Sequence, residues 1–421
     1  MIREAIVIGG GASGLAAAIA LKKKNKDVLL IEREINLGGI LNQCIHNGFG
    51  LDVFKEEYTG PEYAKKFVDE FRSMKIDYLI DTTVIDITKE KNHFHVTITS
   101  EDCGIKTIIS KSIIISTGCY ERTRGQIVIP GDRPRGVITA GSAQRYLNIN
   151  GYLVGKRVFI LGSGDIGLIM ARRMQLEGAS VLGVAEIMPY SNGLNRNIVQ
   201  CLNDFNIPLF LSHTVTEVES DCNNKLKSIT IQKVDQNFLP IKETEKIFNV
   251  DTLLLSIGLI PDITLLDNLK VDFDTRTKSV KVNQAYETSI EGLFICGNSL
   301  QVHDLVDNVS KESLRAGKAA ANYLDNLVEK RQVINVIPGK NTLFTTPQMI
   351  DFGWVNQELV LNFRVQKKID KAKIKVYQGE EVIFEKIKTF LAPAEMETLS
   401  FDYKNLHKNK DLLLEVEDIS L

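Results

Sequence analysis

Residues 5–14, AIVIGGGASG, decide the fold of this chain. Three β-favouring residues at 6–8 lead into a G-x-G-x-x-G pattern made by Gly9, Gly11 and Gly14. The first glycine suits a tight turn, the second lets a ligand approach the backbone, and the third allows close packing of a helix on a strand. The stretch therefore predicts a strand, a turn and a helix whose N-terminus faces a phosphate group.

The residues that follow complete a dinucleotide-binding unit. Alanines keep the predicted helix thin, and residues 28–31 read as a second strand that ends at Glu32. An acid at that position usually holds a ribose hydroxyl. A glycine-rich turn without a ligand is the alternative, but strand, helix, second strand and terminal acid all agree. We expect Ala12, Ser13, Glu32 and Arg33 to contact the dinucleotide beside the three glycines.

Residues 158–167, VFILGSGDIG, repeat the pattern with a second strand over 181–185. An acid at the end of that strand repels a 2′-phosphate, and no Arg or Lys follows it until Arg196, so NAD(H) is favoured over NADP. A solvated strand end is the alternative interpretation of this acid. The expected contacts are Gly162, Gly164, Asp165, Ile166, Gly167 and Glu186.

Composition narrows the class of protein. The chain has 421 residues, of which 44% are hydrophobic and 25% charged, and a net charge of -2 argues against a nucleic-acid binder. No apolar run is long enough to span a membrane and the N-terminus enters a strand at once, so we expect a cytoplasmic protein without a signal peptide or an integral membrane segment. The six cysteines include no C-x-x-C, and no metal site is predicted.

The two halves of the chain form a structural repeat. After each fingerprint come a helix, a β ribbon and an S-x-G turn, at 116–118 and 256–258. The expected fold is α/β, with two Rossmann-like three-layer dinucleotide-binding domains that carry inserted β ribbons, plus a small C-terminal β domain. The predicted domains are 1–120 with 286–332, then 121–285, then 335–421. Strands at 373–377, 381–386 and 412–417 suggest a β-sandwich that acts as a packing lid or docks a partner subunit.

Together with GLFICGN at 292–298, these motifs resemble the two-dinucleotide-binding-domain flavoproteins of the pyridine nucleotide-disulfide oxidoreductase superfamily, which includes thioredoxin reductase. The resemblance covers about residues 1–332. It implies FAD at the first fingerprint, NAD(P)H at the second, and a late motif that holds the ribityl chain, followed by a helix aimed at the flavin. The further contacts expected on this basis are Gly39, Thr117, Gly118, Gly258, Gly297, Asn298, Asn308 and Val309.

Two departures from the family pattern bear on the chemistry. Asn298 stands where the family usually has Asp, which removes a negative charge near the flavin. The family's disulfide reductases place a cysteine pair at the flavin, but here only Cys44 follows the Gly38-Gly39 turn, so disulfide reduction is not expected. Cys44 and His46 are the candidate catalytic residues, for proton transfer or for gating an acceptor. The alternative is a buried thiol and a histidine held by backbone.

A narrower resemblance comes from longer stretches. Residues 117–144 are similar to flavoprotein subunits of hydrogen cyanide synthase, opine oxidase and sarcosine oxidase, and residues 38–50 with 297–307 to bacterial flavoproteins that accompany glycerol-3-phosphate dehydrogenase. This implies an FAD-dependent NAD(P)H oxidoreductase whose electrons pass to a partner flavoprotein or iron-sulfur protein. A subunit of an amino acid or opine dehydrogenase and a low-turnover FAD-bound scaffold subunit are the alternatives, and oligomerisation stays open.

Two clusters of polar residues each allow two interpretations of their role. Four arginines near the first S-x-G turn either steer a nucleotide phosphate or form a solvated face. His303 and Asp304 either bridge the ribityl chain to solvent or form a polar turn. The arginines are Arg122, Arg124, Arg133 and Arg135.

Overall fold

The computed structural model describes residues 2–329, 331–354, 359–402 and 406–420. The chain divides into two compact units, Met1–Cys119 with Pro261–Leu421, and Tyr120–Ile260. Residues 261–285, which the sequence assigns to the second domain, lie in the first unit, because Leu266, Val280 and Val282 belong to its hydrophobic core. Residues 335–421 also group with the first unit, although their strands enclose a core of their own.

Outside its C-terminal part, the first unit has the sheet and helices of a dinucleotide-binding fold. Its sheet has the order β5-β2-β1-β8-β7-β6, and β21 pairs with the last three residues of β8. The elements of residues 2–115 and 261–329 are β1 (Ile2–Ile8), α1 (Ala12–Lys22), β2 (Val28–Ile31), β3 (Asn47–Phe49), β4 (Tyr58–Thr59), α2 (Gly60–Ser73), β5 (Asp77–Leu79), β6 (Thr83–Glu90), β7 (His93–Ser100), β8 (Gly104–Ile115), β19 (Phe273–Asp274), β20 (Ser279–Val280), β21 (Leu293–Ile295) and α7 (Val306–Leu324), with 3₁₀ helices at Gly39–Gln43, Thr264–Leu266 and Gly297–Ser299.

One long strand joins the parallel sheet to its ribbon. The first part of β8 pairs antiparallel with β7, whereas its last residues run parallel to both β1 and β21. The sequence predicts two separate strands here, at 106–109 and 112–115. Ser110 and Ser112 interrupt the apolar pattern, but both are buried and their hydroxyls donate to backbone carbonyls, so the strand continues through them. The ribbon is thus an extension of the main sheet.

Small residues let two helices of the first unit pack closely. Ala16, Ala17 and Ala20 of α1 are buried, and α7 crosses them at Gly317. A Cβ at Gly317 would lie 2.4 Å from the carbonyl oxygen of Ala17 and 2.8 Å from Cβ of Ala20. Any larger residue at this crossing would push the helices apart.

The second unit repeats the architecture. Its five-stranded parallel sheet has the order β10-β17-β11-β12-β13, and its ribbon β14-β15-β16 forms a separate antiparallel sheet. The elements are β9 (Cys119–Glu121), α3 (Arg124–Ile127), β10 (Val137–Thr139), α4 (Ala140–Asn148), β11 (Arg157–Leu161), α5 (Asp165–Leu176), β12 (Ser180–Glu186), α6 (Asn195–Cys201), β13 (Leu209–Leu211), β14 (His213–Ser220), β15 (Leu226–Lys233), β16 (Lys246–Asn249), β17 (Thr252–Leu255) and β18 (Leu259–Pro261), with 3₁₀ helices at Asn203–Phe205 and Lys242–Thr244.

The C-terminal part of the first unit is a β domain of two sheets. The larger has the order β24-β22-β29-β26-β27 and the smaller β23-β25-β28, and buried residues such as Phe363 and Val376 fill the core that these strands share. Its strands are β22 (Val333–Pro338), β23 (Thr342–Thr346), β24 (Met349–Asp351), β25 (Leu359–Val365), β26 (Ile369–Gln378), β27 (Glu381–Leu391), β28 (Glu397–Phe401) and β29 (Leu412–Asp418). Across the described ranges, no helix has the length and apolar character to cross a membrane.

A buried carboxylate fastens this β domain to the rest of the unit. Glu287 is fully buried and accepts hydrogen bonds from the Gly292 N–H at 2.9 Å, from Arg331 at 2.9 Å and from the Trp354 indole at 3.3 Å. The Trp354 ring also packs edge-on against Phe294. Burial raises the pKa of Glu287, and the Arg331 guanidinium opposes that rise. We call Glu287, Arg331 and Trp354 the Glu287 anchor. It makes the β domain an integral part of the unit.

Replacing Arg331 tests this anchor. Arg331→Met leaves a buried carboxylate without its cation, and we expect a loss of about 3 kcal/mol in the free energy of unfolding. A carboxyl whose pKa is raised on folding adds stability only while protonated, so stability falls as pH rises through that pKa. The deficit relative to wild type should therefore grow between about pH 5 and pH 8 in thermal unfolding.

The matched control for this measurement is Lys367→Met, which breaks an exposed ion pair with Asp418. Exposed pairs contribute little to stability. We expect its unfolding midpoint to stay near wild type at both pH values. An Arg331→Met deficit that does not change with pH would contradict the role given to Glu287.

Candidate functional site

The three glycines of the first fingerprint have different surroundings. Gly9 has φ of 107°, and a Cβ there would lie 2.4 Å from the carbonyl oxygen of Ser116. A Cβ at Gly14 would lie 1.8 Å from the Gly9 carbonyl oxygen. At Gly11 the nearest atom to an added Cβ is the Cα of Gly39, 3.9 Å away. The outer glycines are required by packing, and the middle one leaves open space against the backbone.

The second fingerprint has the same division. A Cβ at Gly162, where φ is 97°, would lie 2.0 Å from the carbonyl oxygen of Ser256. At Gly167 it would lie 2.7 Å from Cβ of Ser256, whereas at Gly164 the nearest atom is 3.5 Å away. Both middle glycines thus leave room beside a helix N-terminus, which is the shape that a pyrophosphate requires.

The two strand-end acids have equivalent hydrogen bonds. Glu32 accepts from the backbone N–H of Gly10 and of Glu34, and Glu186 accepts from the backbone N–H of Ser163 and of Met188. Ser163 also donates its hydroxyl to Glu186 at 2.7 Å. Both carboxylates are buried and lie against their glycine turns, so each is placed beside the open space. Gly10 and Ser163 fall outside the G-x-G-x-x-G positions, which is why the sequence did not identify them.

The S-x-G turns contact the fingerprints through their serines, which were not among the predicted site residues. The Ser116 hydroxyl donates to the Ile8 carbonyl at 2.7 Å, and the Ser256 hydroxyl accepts from the Gly167 N–H at 3.0 Å. Within the first unit, Thr117 donates its hydroxyl to the Asp262 carbonyl. Gly118, with φ of 79°, has no atom within 4 Å of an added Cβ.

The equivalent glycine of the second turn, Gly258, has φ of 102°, and the nearest atom to an added Cβ there is 4.0 Å away, on Arg122. Its carbonyl accepts from the Arg122 N–H at 3.0 Å. The space beside the Cα atom is therefore open at both Gly118 and Gly258.

The helices that follow the two glycine turns, α1 and α5, differ in the charge of their first turns. The first turn of α1 contains no acid, and Ala12 and Ser13 are buried there. The Ser13 hydroxyl pairs with the Ser313 hydroxyl at 2.8 Å, so its side chain is directed at α7. In α5, the Asp165 carboxylate accepts from the Leu194 N–H at 2.9 Å, and Ile166 packs against the second unit's core. An anion at α1 meets the full positive end of the helix dipole, whereas Asp165 reduces it at α5.

The late motif is held by a buried carboxylate on α7. Glu312 accepts from the Gly297 N–H and from the Gln301 amide, both at 2.7 Å, and its Oε2 lies 3.1 Å from Nε2 of His303. The Asn298 side chain accepts from the His303 N–H at 3.1 Å. Glu312 was not selected from sequence, because its role appears only when α7 packs over residues 297–303. We call residues 297–305 the late segment.

The first turn of α7 differs from the expectation. The prediction takes Asn308 and Val309 as backbone donors to a ligand, but both N–H groups are directed at the Leu305 carbonyl, at 3.1 and 3.5 Å. The helix begins at Val306, so the N–H groups without an intrahelical acceptor belong to Val306 and Asp307. The Asp307 carboxylate binds the loop over 50–53, where it accepts N–H groups at 3.1 and 2.9 Å.

The candidate catalytic pair lies in the loop after Gly38-Gly39. Gly39 approaches Gly11, since a Cβ on Gly39 would lie 2.9 Å from its Cα, and Arg33 nearby is exposed. The Cys44 thiol donates to the Ile40 carbonyl at 3.4 Å, and desolvation raises the pKa of the thiol to about 12. His46 Nδ1 lies 3.0 Å from the Asn47 carbonyl. These surroundings favour a neutral thiol and a histidine bonded to backbone, which is the alternative stated above.

The arginine group near the first S-x-G turn is partly structural. Arg124 donates to the carbonyls of Ile129 and Pro130 at 3.1 and 3.0 Å through Nη2, and it also contacts those of Gly131 and Asp132. Its guanidinium therefore closes the 124–132 loop. We find no group of three or more metal-ligating side chains in the ranges that the structure describes.

A sequence profile described as pyridine nucleotide-disulphide oxidoreductase matches residues 3–313. The chain belongs to this family. It is an FAD- and NAD(P)H-dependent oxidoreductase, as its motifs predict. The last hundred or so residues, with the C-terminal β domain, lie beyond the matched range.

Relatives of several activities align over most of the chain. An NADH oxidase of Methanocaldococcus jannaschii is 24% identical over 78% of this chain and 71% of its own length. A thioredoxin reductase of Bacillus subtilis is 23% identical over 78% and 96%, and a ferredoxin–NADP reductase of Limosilactobacillus fermentum is 26% identical over 79% and 96%. The thioredoxin reductase structure of Lactococcus lactis superposes with a TM-score of 0.64 at 20% identity, covering 77% of this chain and 100% of its own. The predicted α/β fold class is confirmed.

The glycines give a matched pair of variants. Gly11→Ala has room for its methyl group, so we expect a folded protein that purifies without FAD because the methyl occupies the space for the pyrophosphate. Gly14→Ala forces its methyl into the Gly9 carbonyl, and we expect loss of folded protein. Flavin content and circular dichroism measure the two effects. A Gly11→Ala protein with full flavin would contradict the placement of the pyrophosphate.

The cysteines should differ in reactivity. Cys103 and Cys222 are exposed, whereas burial raises the pKa of Cys296, like that of Cys44, to about 12. Because the thiolate is the reactive species, iodoacetamide near pH 8 should modify Cys103 and Cys222 and spare Cys44 and Cys296. Peptide mass spectrometry after a short exposure measures this. Rapid alkylation of Cys44 would restore it as a candidate catalytic residue.

Proposed function

We propose that this chain takes electrons from NADH onto FAD and delivers them to a partner redox protein. The observation that carries the proposal is the state of the cysteines. The six cysteines include no C-x-x-C, and Cys44, which follows the first-domain Gly-Gly turn, is held neutral by desolvation. Electrons that a dithiol would carry in a disulfide reductase therefore need a different acceptor.

The residues present fit the two groups. We assign FAD to the first fingerprint, with Gly11 and the N-terminus of α1 at the pyrophosphate, Glu32 at a ribose, and Gly297 and Asn298 at the ribityl chain. Bound NAD(P)H supplies a hydride, and bound FAD accepts its two electrons. The N–H groups of Val306 and Asp307 then replace Asn308 and Val309 as the proposed donors at the positive end of α7.

The second fingerprint favours NADH over NADPH. Glu186 is buried with both of its oxygens bonded, so the carboxyl group is fixed at the position where we expect a 2′-phosphate to lie. No basic residue follows it before Arg196. Gly162, Gly164 and Gly167 shape the pyrophosphate space, and the N–H groups at Asp165 and Ile166 face it.

For the acceptor we propose a partner flavoprotein or iron-sulfur protein in a glycerol-3-phosphate-oxidising dehydrogenase. The two segments that carry this resemblance, 38–50 and 297–307, are joined in the structure by the Asp307 carboxylate at Gly50. Two relatives are named for partner proteins, a thioredoxin reductase and a ferredoxin–NADP reductase. A subunit of an amino acid or opine dehydrogenase is the second candidate, supported by residues 117–144. The cytoplasmic location stays a prediction.

Anaerobic reduction tests the proposal. Purified protein with known FAD content is mixed with NADH, and we expect the flavin band at about 450 nm to bleach. NADPH should be less effective by about tenfold in kcat/KM, or ~1.4 kcal/mol. Gly164→Ala, which removes the space for the nicotinamide nucleotide and leaves Gly11 intact, is the control that should keep FAD and lose bleaching.

Other outcomes support the alternatives. Flavin that stays oxidised with both nucleotides would indicate a scaffold subunit, and bleaching by an opine or amino acid instead of NADH would indicate direct substrate oxidation. Native-host affinity purification then identifies the partner. Recovery of a glycerol-3-phosphate-oxidising flavoprotein is the result expected.

A further inference from the structure

One arginine of the C-terminal β domain reaches into the late segment. Arg364 lies near the end of β25, and its side chain is only 12% exposed. Its Nη2 donates to the Val302 carbonyl at 2.9 Å and to the Asp304 carboxylate, and its Nη1 donates to the Pro393 carbonyl at 3.1 Å and to the Ala394 carbonyl. A single planar fork therefore joins the β domain to the loop before α7.

The loop is bound by a second part of the β domain at the same residue. The Asp304 carboxylate, 17% exposed, accepts the backbone N–H of Met396 at 2.6 Å. Both oxygens of this carboxylate are thus used by the β domain. Since neither Arg364 nor Asp304 is well solvated, removal of one leaves the other charge poorly compensated.

The contacts continue from this loop to the proposed flavin residues. The His303 N–H donates to Asn298, and the His303 ring, 2% exposed, faces Glu312. Glu312 in turn accepts the Gly297 N–H. Arg364 thus holds Val302 and Asp304 directly. His303, which lies between them, connects to Asn298 and, through Glu312, to Gly297.

The β domain does not need Arg364 to stay attached. The Glu287 anchor is separate from the late segment, and the Gln348 side chain also accepts the Val282 N–H at 3.0 Å. The domain core contains Phe363 and Val365, the neighbours of Arg364 on the opposite side of β25, and both are fully buried. Loss of the Arg364 side chain should therefore release the loop while the domain stays folded and docked.

We propose that Arg364 is a positioning residue of the flavin site, through which the C-terminal β domain holds the late segment in the conformation that binds FAD. This inference rests on the proposed placement of FAD at the first fingerprint and late motif. It gives the β domain a role beyond packing, since the conformation of a cofactor-holding segment depends on it.

The test compares full-length variants. In Arg364→Met, we expect the dissociation constant of FAD to rise about tenfold and the fluorescence of the bound flavin to change, while KM for NADH stays near wild type. Arg364→Lys, which keeps the charge but not the fork, should fall between the two. Lys375→Met is the control, because it breaks a charge pair with Glu417 in the same domain, away from Arg364, Met396 and the late segment.

The outcomes separate this inference from the function on which it depends. Wild-type protein that does not bind FAD would overturn the proposed function. Wild-type protein that binds FAD, with Arg364→Met equal to it in affinity and flavin fluorescence, would overturn the role of Arg364 alone. An equal loss of FAD in Lys375→Met would overturn it too, by showing general destabilisation. If Arg364→Met fails to fold, the near-isosteric Asp304→Asn decides, and unchanged FAD affinity there counts against the proposal.

Discussion

The close approach of Gly14 to the Gly9 carbonyl is the constraint on which the first unit depends. It brings α1 against the turn after β1, where only glycine fits. The alanines of α1 then lie at a depth where α7 can cross them at Gly317. The position of α7 in turn places Glu312 over the late segment and Asp307 over the loop at 50–53. One steric requirement near the N-terminus thus determines where side chains of residues 297–312 lie.

The repeated unit shows which parts of this plan are general. In both units the strand-end acid accepts backbone N–H groups of the glycine turn, and the serine of the S-x-G turn bonds to the fingerprint. These features therefore belong to the dinucleotide-binding plan itself. The charge at the helix N-terminus and the attachment of the β ribbon differ. The first unit, whose α1 lacks an acid in its first turn, presents the stronger anion site. That difference fits our proposal of FAD in the first unit and NADH in the second.

The sequence predicts the elements of the fold correctly where the local residue pattern and the tertiary packing agree. β2 occupies the predicted residues, and the two fingerprints lie where their spacing places them, because glycine spacing is a local steric property. It fails where tertiary pairing dominates. Ser110 falls in the gap between the two predicted strands but lies inside β8, and the sequences of β22 to β24 in the C-terminal domain show no alternation of apolar and polar residues. The contact of Arg364 with Asp304 spans two domains of the predicted scheme, so no local pattern could indicate it.

The position of this contact changes how the extra domain is understood. The family match ends at residue 313, so the β domain lies outside the matched range. A domain that only packed against the unit would bury apolar surface. Here the attachment has two chemically different parts. The Glu287 anchor is buried around an indole and holds the domain in place, whereas Arg364 and the Met396 N–H direct charge and hydrogen bonds at Asp304. Directional bonds fix orientation in a way that apolar burial does not, and the segment that they orient is the one that carries Asn298. A domain outside the matched range therefore contacts a segment that lies inside it.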